Sequence, residues 1–141
     1  MEINLVRKNN KFNFEATGPE GHIVNIDANP QIGGEGKGFR PMEMLLIGMG
    51  ACTSFDVVTI LKKSRQNISD CVAEISADRA DEIPKVFTKI HVHFVVTGKD
   101  LNAGQVERAV KLSAEKYCSA SIMLSKSVEI THDFEIVEAA V

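Results

Sequence analysis

Apolar and polar positions alternate in short runs at the start of the chain. Three short runs rich in apolar residues, only partly alternating with polar ones, predict β-strands at 3–6, 12–16 and 23–26. Turn-forming residues separate the strands, first Asn9-Asn10 and then the run 18–21, Gly-Pro-Glu-Gly. The pattern predicts an antiparallel meander of three strands.

The middle of the chain is its most apolar part. The eighteen residues from Met44 to Leu61 contain one charged residue, Asp56. Pro41 fits the first position of a helix, where the amide hydrogen that proline lacks would have no partner. An aspartate at the centre of a membrane span costs about 3 kcal/mol, which disfavours a transmembrane interpretation. We predict a long helix over about 41–65, buried nearly all round, inside a domain or between subunits.

Alternation returns after this helix. It predicts long strands at 70–80 and 85–98 and a last strand at about 128–138. In the second long strand, six residues are predicted to share one face: Val86, Thr88, Ile90, Val92, Phe94 and Val96.

A second helix begins at Asn102, with Gln105 three residues later in a spacing typical of a helix N-cap. Its inner face is predicted from residues at helical spacing, and the helix leads directly to Cys118: Val106, Ala109, Val110, Ser113, Ala114 and Tyr117. A short apolar turn at 122–124 precedes the last strand. The element order is therefore β-β-β-α-β-β-α-α-β, an α+β fold, and we predict a single domain over 1–141.

The amino-acid composition and net charge limit the kinds of partner that the protein is expected to bind. The chain has 141 residues, with 16 Lys and Arg against 19 Asp and Glu, for a net charge of −3. This balance favours neither nucleic acid nor an anionic membrane as partner. Hydrophobic residues at 44% and charged residues at 25% are typical of a globular domain. The segment Met1–Asn4 has no charged and apolar signal pattern, so we expect a cytoplasmic protein.

Two polar features are candidates for binding sites. The glycine-rich loop 33–38 does not match a phosphate-binding motif, because Gln31 and Gly38 stand where a glycine and a Ser or Thr are needed. We interpret it as a flexible connection into the long helix. His91 and His93 lie on one face of a strand, but no third or fourth metal ligand has a recognisable spacing, so we predict no metal site.

The three cysteines are stronger candidates for a functional site than the glycine-rich loop or the two histidines. Their odd number and wide spacing argue against a disulfide scaffold. Cys52 lies within the apolar helix and Cys118 at the end of the second helix. Such a pair suits a thiol that attacks and a thiol that resolves the resulting sulfenic acid, although ordinary burial explains the same positions. We interpret Cys71, at the start of a strand, as a packing residue.

The surroundings of Cys52 determine whether it is reactive. Burial alone raises the pKa of a thiol, so a reactive Cys52 needs a neighbour that stabilises its thiolate. Asp56 follows one turn later on the same helix face. It either raises the pKa of Cys52 further or bonds a neighbouring backbone or side chain, and we expect the second.

Two motifs resemble those of the OsmC/Ohr family. The first is the run from Gly33 to Cys52, GGEGKGFRPMEMLLIGMGAC, and the second is Tyr117-Cys118 with a serine a few residues later. The resemblance extends over nearly the whole chain. It implies an intertwined homodimer in which two long helices are enclosed by sheets, with a two-cysteine site at each subunit interface.

The resemblance also implies an activity. Cys52 would attack an organic hydroperoxide and become a sulfenic acid, Cys118 would resolve it as a disulfide, and a lipoyl-type dithiol would restore both thiols in oxidative stress defence. No cofactor is needed for this chemistry. The alternative is a protein of the same fold without peroxidase activity that binds a small hydrophobic ligand at the dimer interface.

The motifs depart from the peroxidase pattern beside the first cysteine. Met42 follows the proline where the enzymes have Glu, and Glu43 comes one residue later. Ser119 stands where many members have Pro, and the family's N-terminal arginine has no clear counterpart. Nine residues, at about 100° each, place Glu43 on the opposite side of the helix from Cys52. Glu43 is therefore a weak candidate and suits the helix dipole, whereas Arg40 is a candidate thiolate stabiliser for a partner subunit's Cys52.

Overall fold

The computed structural model describes residues 1–140, which form two compact units, residues 1–47 and the part of the chain from Gly48 onward. The element order is the predicted one, and the fold is a mixed α+β fold with two three-stranded sheets and three α-helices. The long helix α1 begins in the first unit and ends in the second, at Pro41–Lys63. The single domain over 1–141 stays a prediction.

The first unit contains the predicted meander. Its strands are β1 (Asn4–Arg7), β2 (Phe14–Thr17) and β3 (Ile23–Ile26), paired antiparallel in that order. The register sets Leu5 opposite Ala16 and Ala16 opposite Val24. Because side chains alternate between the faces of a sheet, these three residues share one apolar face.

The second unit contains the other sheet. Strands β4 (Asn67–Arg79) and β5 (Phe87–Lys99) pair antiparallel, and β6 (Glu129–Glu138) pairs parallel with β5. A parallel pair needs a long connection, which here carries helix α2 (Ala103–Leu112) and helix α3 (Ser119–Leu124). Helices α2 and α3 therefore form the crossover connection between the parallel strands β5 and β6.

The buried face of β5 follows the predicted alternation only in part. Ile90, Val92, Phe94 and Val96 are fully buried, as predicted, but Val86 and Thr88 are exposed and Phe87 is buried instead. The register skips Thr88, since Asp78 pairs with Lys89 and Arg79 with Phe87. This β-bulge adds one residue to β5 and reverses the alternation before Ile90.

Helix α1 ends two residues before the predicted limit because Arg65 adopts a left-handed conformation, with φ of 59°. The Gln66 amide donates to the Leu61 carbonyl at 2.9 Å and the Arg65 amide to the Lys62 carbonyl at 3.0 Å, the hydrogen-bond pattern of a Schellman cap.

Burial of α1 within one chain is one-sided. A stripe at helical spacing is buried, comprising Met49, Gly50, Thr53, Val57 and Leu61. The expectation that the helix is buried nearly all round inside one domain is therefore wrong, since other apolar side chains such as Phe55 are exposed. Burial between subunits, the other alternative, stays a prediction. By length and composition α1 would suit a membrane span, and 28% of its most apolar window is buried.

Candidate active site

Cys118 lies where α2 gives way to α3. After Leu112 the backbone widens into a π-helical turn, Ser113–Tyr117, in place of the continuous helix that was predicted. The turn closes when the Cys118 amide donates to the Ser113 carbonyl at 2.8 Å. Cys118 then caps α3, because its Sγ accepts the Ser121 amide hydrogen at 3.3 Å. Hydrogen bonds therefore fix both the backbone and the side chain of Cys118, which is fully buried.

Cys52 meets Cys118 in the second unit. Cys52 is half-buried on α1, and its side chain lies close enough to that of Cys118 to raise the pKa of the Cys118 thiol. Both are free thiols, as is Cys71. The structure thus brings together two cysteines that are 66 residues apart in sequence. Within one chain Cys52 is the more exposed of the pair, since Cys118 has 0% of its surface exposed.

The environment of Cys118 favours the protonated thiol. Burial raises its pKa above the ordinary value, and the nearby Cys52 raises it further. The side chain and the backbone amide of Ser121 act in the opposite direction, because both stabilise a thiolate. The net pKa is raised, so Cys118 rests as a neutral thiol.

A buried hydroxyl network fastens α1 to the π-helical turn. Ser113 Oγ lies 2.7 Å from Thr53 Oγ1 and 2.9 Å from Asp56 Oδ2. A carboxylate accepts and a hydroxyl has a single proton, so Ser113 donates to Asp56 while Thr53 donates to Ser113. The expectation that Asp56 bonds a neighbouring group is confirmed.

Arg40 and Glu43 pair with each other in the first unit. The Arg40 guanidinium lies 3.5 Å from Glu43 Oε1, and the Arg40 backbone amide donates to the same oxygen at 2.8 Å. Glu43 thereby satisfies one of the amide hydrogens left free at the start of α1, in keeping with the dipole role considered for it. The role of Arg40 toward a partner subunit's Cys52 and the weak candidacy of Glu43 as a site residue stay predictions.

The glycine-rich loop is organised around a buried carboxylate. Asp27 accepts the amide hydrogens of Ala28 at 2.7 Å and Lys37 at 3.2 Å. Burial alone would raise the pKa of Asp27, but these backbone hydrogen bonds outweigh it and the pKa is lowered. The Lys37 amide of the loop is therefore directed to Asp27, and three other loop amides donate to backbone carbonyls. The flexible connection expected from the sequence stays a prediction.

His91 and His93 share a carboxylate on the solvent face of the second sheet. Asp133 Oδ1 lies 2.9 Å from His91 Nε2 and 2.7 Å from His93 Nδ1, and His91 Nδ1 lies 2.6 Å from Thr131 Oγ1. Within residues 1–140, no group of three or more His, Cys, Asp and Glu side chains is arranged to hold a metal ion. The absence of a metal site stays a prediction.

Cys71 lies in β4, where its register partner is the buried Val96 of β5. Burial raises its pKa, and the adjacent Asp70 raises it further. Both effects disfavour the reactive thiolate, consistent with the packing role predicted for Cys71.

Three residues of the site were not predicted from sequence: Thr53, Ser113 and Ser121. All three are buried polar residues. The available signal was a serine or threonine on a helix face that is otherwise apolar, since buried hydroxyls require hydrogen-bond partners. Ser113 stood on the predicted inner face of the second helix, and Ser121 followed the second cysteine.

Comparison with known proteins identifies the family. The family model described as OsmC-like protein matches residues 34–133. The chain belongs to the OsmC-like family. The resemblance seen in the two cysteine motifs is thereby confirmed, and residues 34–133 include both Cys52 and Cys118.

Similarity to known proteins extends over most of the chain. Protein YhfA of Escherichia coli strain K12 is 47% identical over 126 residues, which cover 89% of this chain and 91% of YhfA. A hypothetical protein from Aquifex aeolicus VF5 has a crystal structure that is 31% identical, with a TM-score of 0.85 and coverage of 99% and 97%. The organic hydroperoxide resistance protein OhrB of Bacillus subtilis shares the fold at 21% identity, with a TM-score of 0.62 and coverage of 95% and 96%.

Proposed function

We propose that this OsmC-like protein is a thiol-dependent peroxidase that reduces organic hydroperoxides in stress defence. The observation that carries the proposal is the proximity of the half-buried Cys52 to the buried Cys118. An attacking thiol must be reachable by substrate, and a resolving thiol must lie within bonding reach of it. The name of the fold neighbour OhrB, an organic hydroperoxide resistance protein, agrees with this activity.

The chemistry balances with the two thiols and an external dithiol. The Cys52 thiolate attacks the terminal oxygen of the hydroperoxide, the O–O bond breaks, and the substrate leaves as an alcohol with a proton from solvent. Cys118 then attacks the sulfenic sulfur of Cys52, releasing water and forming a disulfide. A lipoyl-type dithiol reduces the disulfide and is itself oxidised, so the protein needs no bound cofactor.

A count of free thiols tests this proposal. One equivalent of cumene hydroperoxide should remove two of the three thiols, and dihydrolipoamide should restore them with turnover. Cys71→Ser is the matched control and should retain activity, whereas Cys52→Ser should lose it. An unchanged thiol count in the wild type would reject the peroxidase.

We further propose that the protein is a cytoplasmic homodimer. Support comes from α1, whose apolar surface is largely uncovered within one chain, with Phe55 73% exposed. A second copy can bury such a surface, which costs free energy in contact with water. Sedimentation should show twice the 15.4 kDa mass of one chain. A stable species of 15.4 kDa would contradict the dimer, and binding to lipid vesicles would favour a membrane instead.

Arg40 is proposed to act on Cys52 of the second copy. Its guanidinium is about half exposed and beside Glu43, so it is available to a partner molecule. Arg40→Gln should raise the pH at which Cys52 reacts with hydroperoxide, since a cation lowers the pKa of a nearby thiol. Lys37→Gln, which removes a neighbouring cation, is the control. Equal reaction profiles in the two variants would reject the role of Arg40.

The second candidate function is binding of a small hydrophobic ligand. The first unit has an open cavity of about 720 Å³ beside its apolar sheet face, lined by residues that include Leu5, Phe14, Ala16 and Met44. Sites for apolar ligands have this size and lining. Saturable binding of a fluorescent fatty acid that Ala16→Phe abolishes, together with an unchanged thiol count, would favour this function over the peroxidase.

A further inference from the structure

The hydroxyl of Ser121 is buried without a hydrogen-bond partner. Ser121 is 2% exposed, and its Oγ has no partner among residues 1–140. Buried hydroxyls are nearly always bonded, so this position calls for an explanation. The adjacent backbone amide of the same residue donates to Cys118 Sγ at 3.3 Å. The orphan hydroxyl therefore belongs to the immediate surroundings of the buried sulfur.

The charge state of Cys118 determines what this hydroxyl can bond. A neutral thiol is a weak acceptor, whereas a thiolate is a strong one. The Ser121 side chain favours the thiolate, since it lowers the pKa of Cys118 against the effects of burial and of Cys52. In the part of the chain that the structure describes, residues 1–140, the titratable group that faces Cys118 is the Cys52 thiol, and it raises that pKa. Ser121 thus gains a partner when Cys118 becomes charged.

Access decides which sulfur of a disulfide is attacked. Cys118 is fully buried and Cys52 half-buried, so an incoming thiolate reaches Cys52. Attack on Cys52 Sγ forms a mixed disulfide there, and the electron pair of the broken S–S bond goes to Cys118 Sγ. The second thiol of the dithiol then attacks the mixed disulfide and releases Cys52. The two dithiol protons end on the two cysteines, and the dithiol leaves oxidised.

We propose that Ser121 is a further catalytic residue, whose hydroxyl donates a hydrogen bond to Cys118 Sγ when that sulfur leaves as a thiolate. This proposal rests on the proposed peroxidase cycle and concerns its reductive half. A better stabilised leaving thiolate departs faster. The hydroxyl also stabilises the Cys118 thiolate that attacks the sulfenic acid of Cys52, so Ser121 serves both steps in which the Cys118 sulfur carries charge.

The first test measures reduction of the disulfide. Diamide, a thiol oxidant, forms the Cys52–Cys118 disulfide in a Cys71→Ser background, and dihydrolipoamide then reduces it under stopped flow. Ser121→Ala should slow reduction about tenfold, the effect of losing one hydrogen bond to a charged group. Ser121→Thr, which keeps the hydroxyl, should recover the rate. Ser119→Ala, at an exposed neighbouring position, should match the parent.

The second test uses the reduced protein. With Cys52→Ser and Cys71→Ser in place, Cys118 is the single thiol, and its titration is followed by thiolate absorbance near 240 nm. Ser121→Ala should raise the pKa of Cys118 without lowering the melting temperature, because it removes a hydroxyl that has no partner in the thiol state. If Ser121 had only a structural role, Ser121→Ala would lower the melting temperature and leave the pKa of Cys118 unchanged.

The outcomes separate this proposal from the peroxidase itself. Unaltered reduction kinetics and an unaltered Cys118 titration in Ser121→Ala would overturn the role of Ser121. A wild-type protein that keeps its thiols under hydroperoxide but forms the disulfide with diamide would reject the peroxidase and still allow both measurements on Ser121.

Discussion

Thr53 Oγ1 and Ser113 Oγ lie 2.7 Å apart in a fully buried position. This contact joins the long helix that carries Cys52 to the π-helical turn that leads to Cys118. The hydrogen bond from Ser113 to Asp56 extends it at 2.9 Å. The geometry of the two cysteines therefore depends on a hydroxyl network, to which neither cysteine contributes a side chain.

Ser113→Ala should destabilise the fold by about 1–3 kcal/mol, because Thr53 Oγ1 and Asp56 lose a buried partner. It should also slow formation of the Cys52–Cys118 disulfide. Chemical denaturation and diamide oxidation provide the two measurements. Ser125→Ala, whose hydroxyl bonds a local carbonyl at an exposed position, is the control and should change neither.

A double-mutant cycle isolates the Thr53–Ser113 contact. Thr53→Val and Ser113→Ala should each destabilise, and the double variant should lose less than their sum, because residues in one hydrogen-bond network couple. Strict additivity would show that the two hydroxyls do not act together.

Gly50→Ala should leave the second unit less stable than Gly48→Ala does, because the Ile75 side chain must move to admit the new methyl group. A Cβ at Gly50 would overlap the Ile75 Cδ1 atom of β4, whereas nothing lies within 4 Å of a Cβ at Gly48. Gly48→Ala should therefore stabilise α1 by up to about 1 kcal/mol through higher helix propensity. The measurement is thermal unfolding of both variants. A loss of stability in Gly48→Ala would reveal a neighbour at that position in the assembled protein.

Asp133→Asn should lower stability mainly between about pH 4 and 6.5. The hydrogen bond to Asp133 raises the pKa of His93 above 6.5, so this contribution is present below pH 6.5 and is lost as the pH rises through the raised value. Hydrogen bonds from His93 and then His91 lower the pKa of Asp133 below 3.8, so its contribution is present above that pH and is lost as the pH falls through the lowered value.

Melting temperatures of wild type and Asp133→Asn across pH 3–9 test this expectation. Burial and then the charge of His91 lower the pKa of His132, which removes stability as the pH falls below 6.5. That effect operates in both proteins and largely cancels in their difference. Glu129→Gln, which removes a carboxylate on the same strand, is the control. A difference between wild type and Asp133→Asn that is constant with pH would contradict the ion-pair account.

Asn102→Ala should destabilise helix α2 by about 1 kcal/mol through loss of its N-cap. The Asn102 side chain accepts the Gln105 amide hydrogen at 3.1 Å. Asn102→Asp should preserve stability, because a carboxylate accepts the same hydrogen bond and complements the helix dipole. Urea denaturation of the two variants measures the effect. Equal free energies of unfolding for Asn102→Ala and Asn102→Asp would show that the N-cap hydrogen bond contributes little to stability.

Local sequence patterns were sufficient to predict the order of the helices and strands. Asn102 caps the second helix as predicted, and Pro41 begins the first, because caps and first-turn residues act through neighbours in sequence. Local patterns did not predict the β-bulge at Thr88. The bulge at this residue depends on how β5 registers against β4, and no residue within β5 specifies that pairing.

The sequence by itself determined the order of elements and the OsmC-like family, because periodicity, caps and motifs depend on residues that are close together in the chain. The choice of Cys52 and Cys118 as the reactive pair stays a prediction. Tertiary structure alone decided what surrounds the pair. It joined Thr53, Asp56 and Ser113, widened the helix before Cys118, and left the Ser121 hydroxyl without a partner beside a buried sulfur. Hydrogen bonds between residues about sixty positions apart depend on packing, which local sequence patterns do not specify.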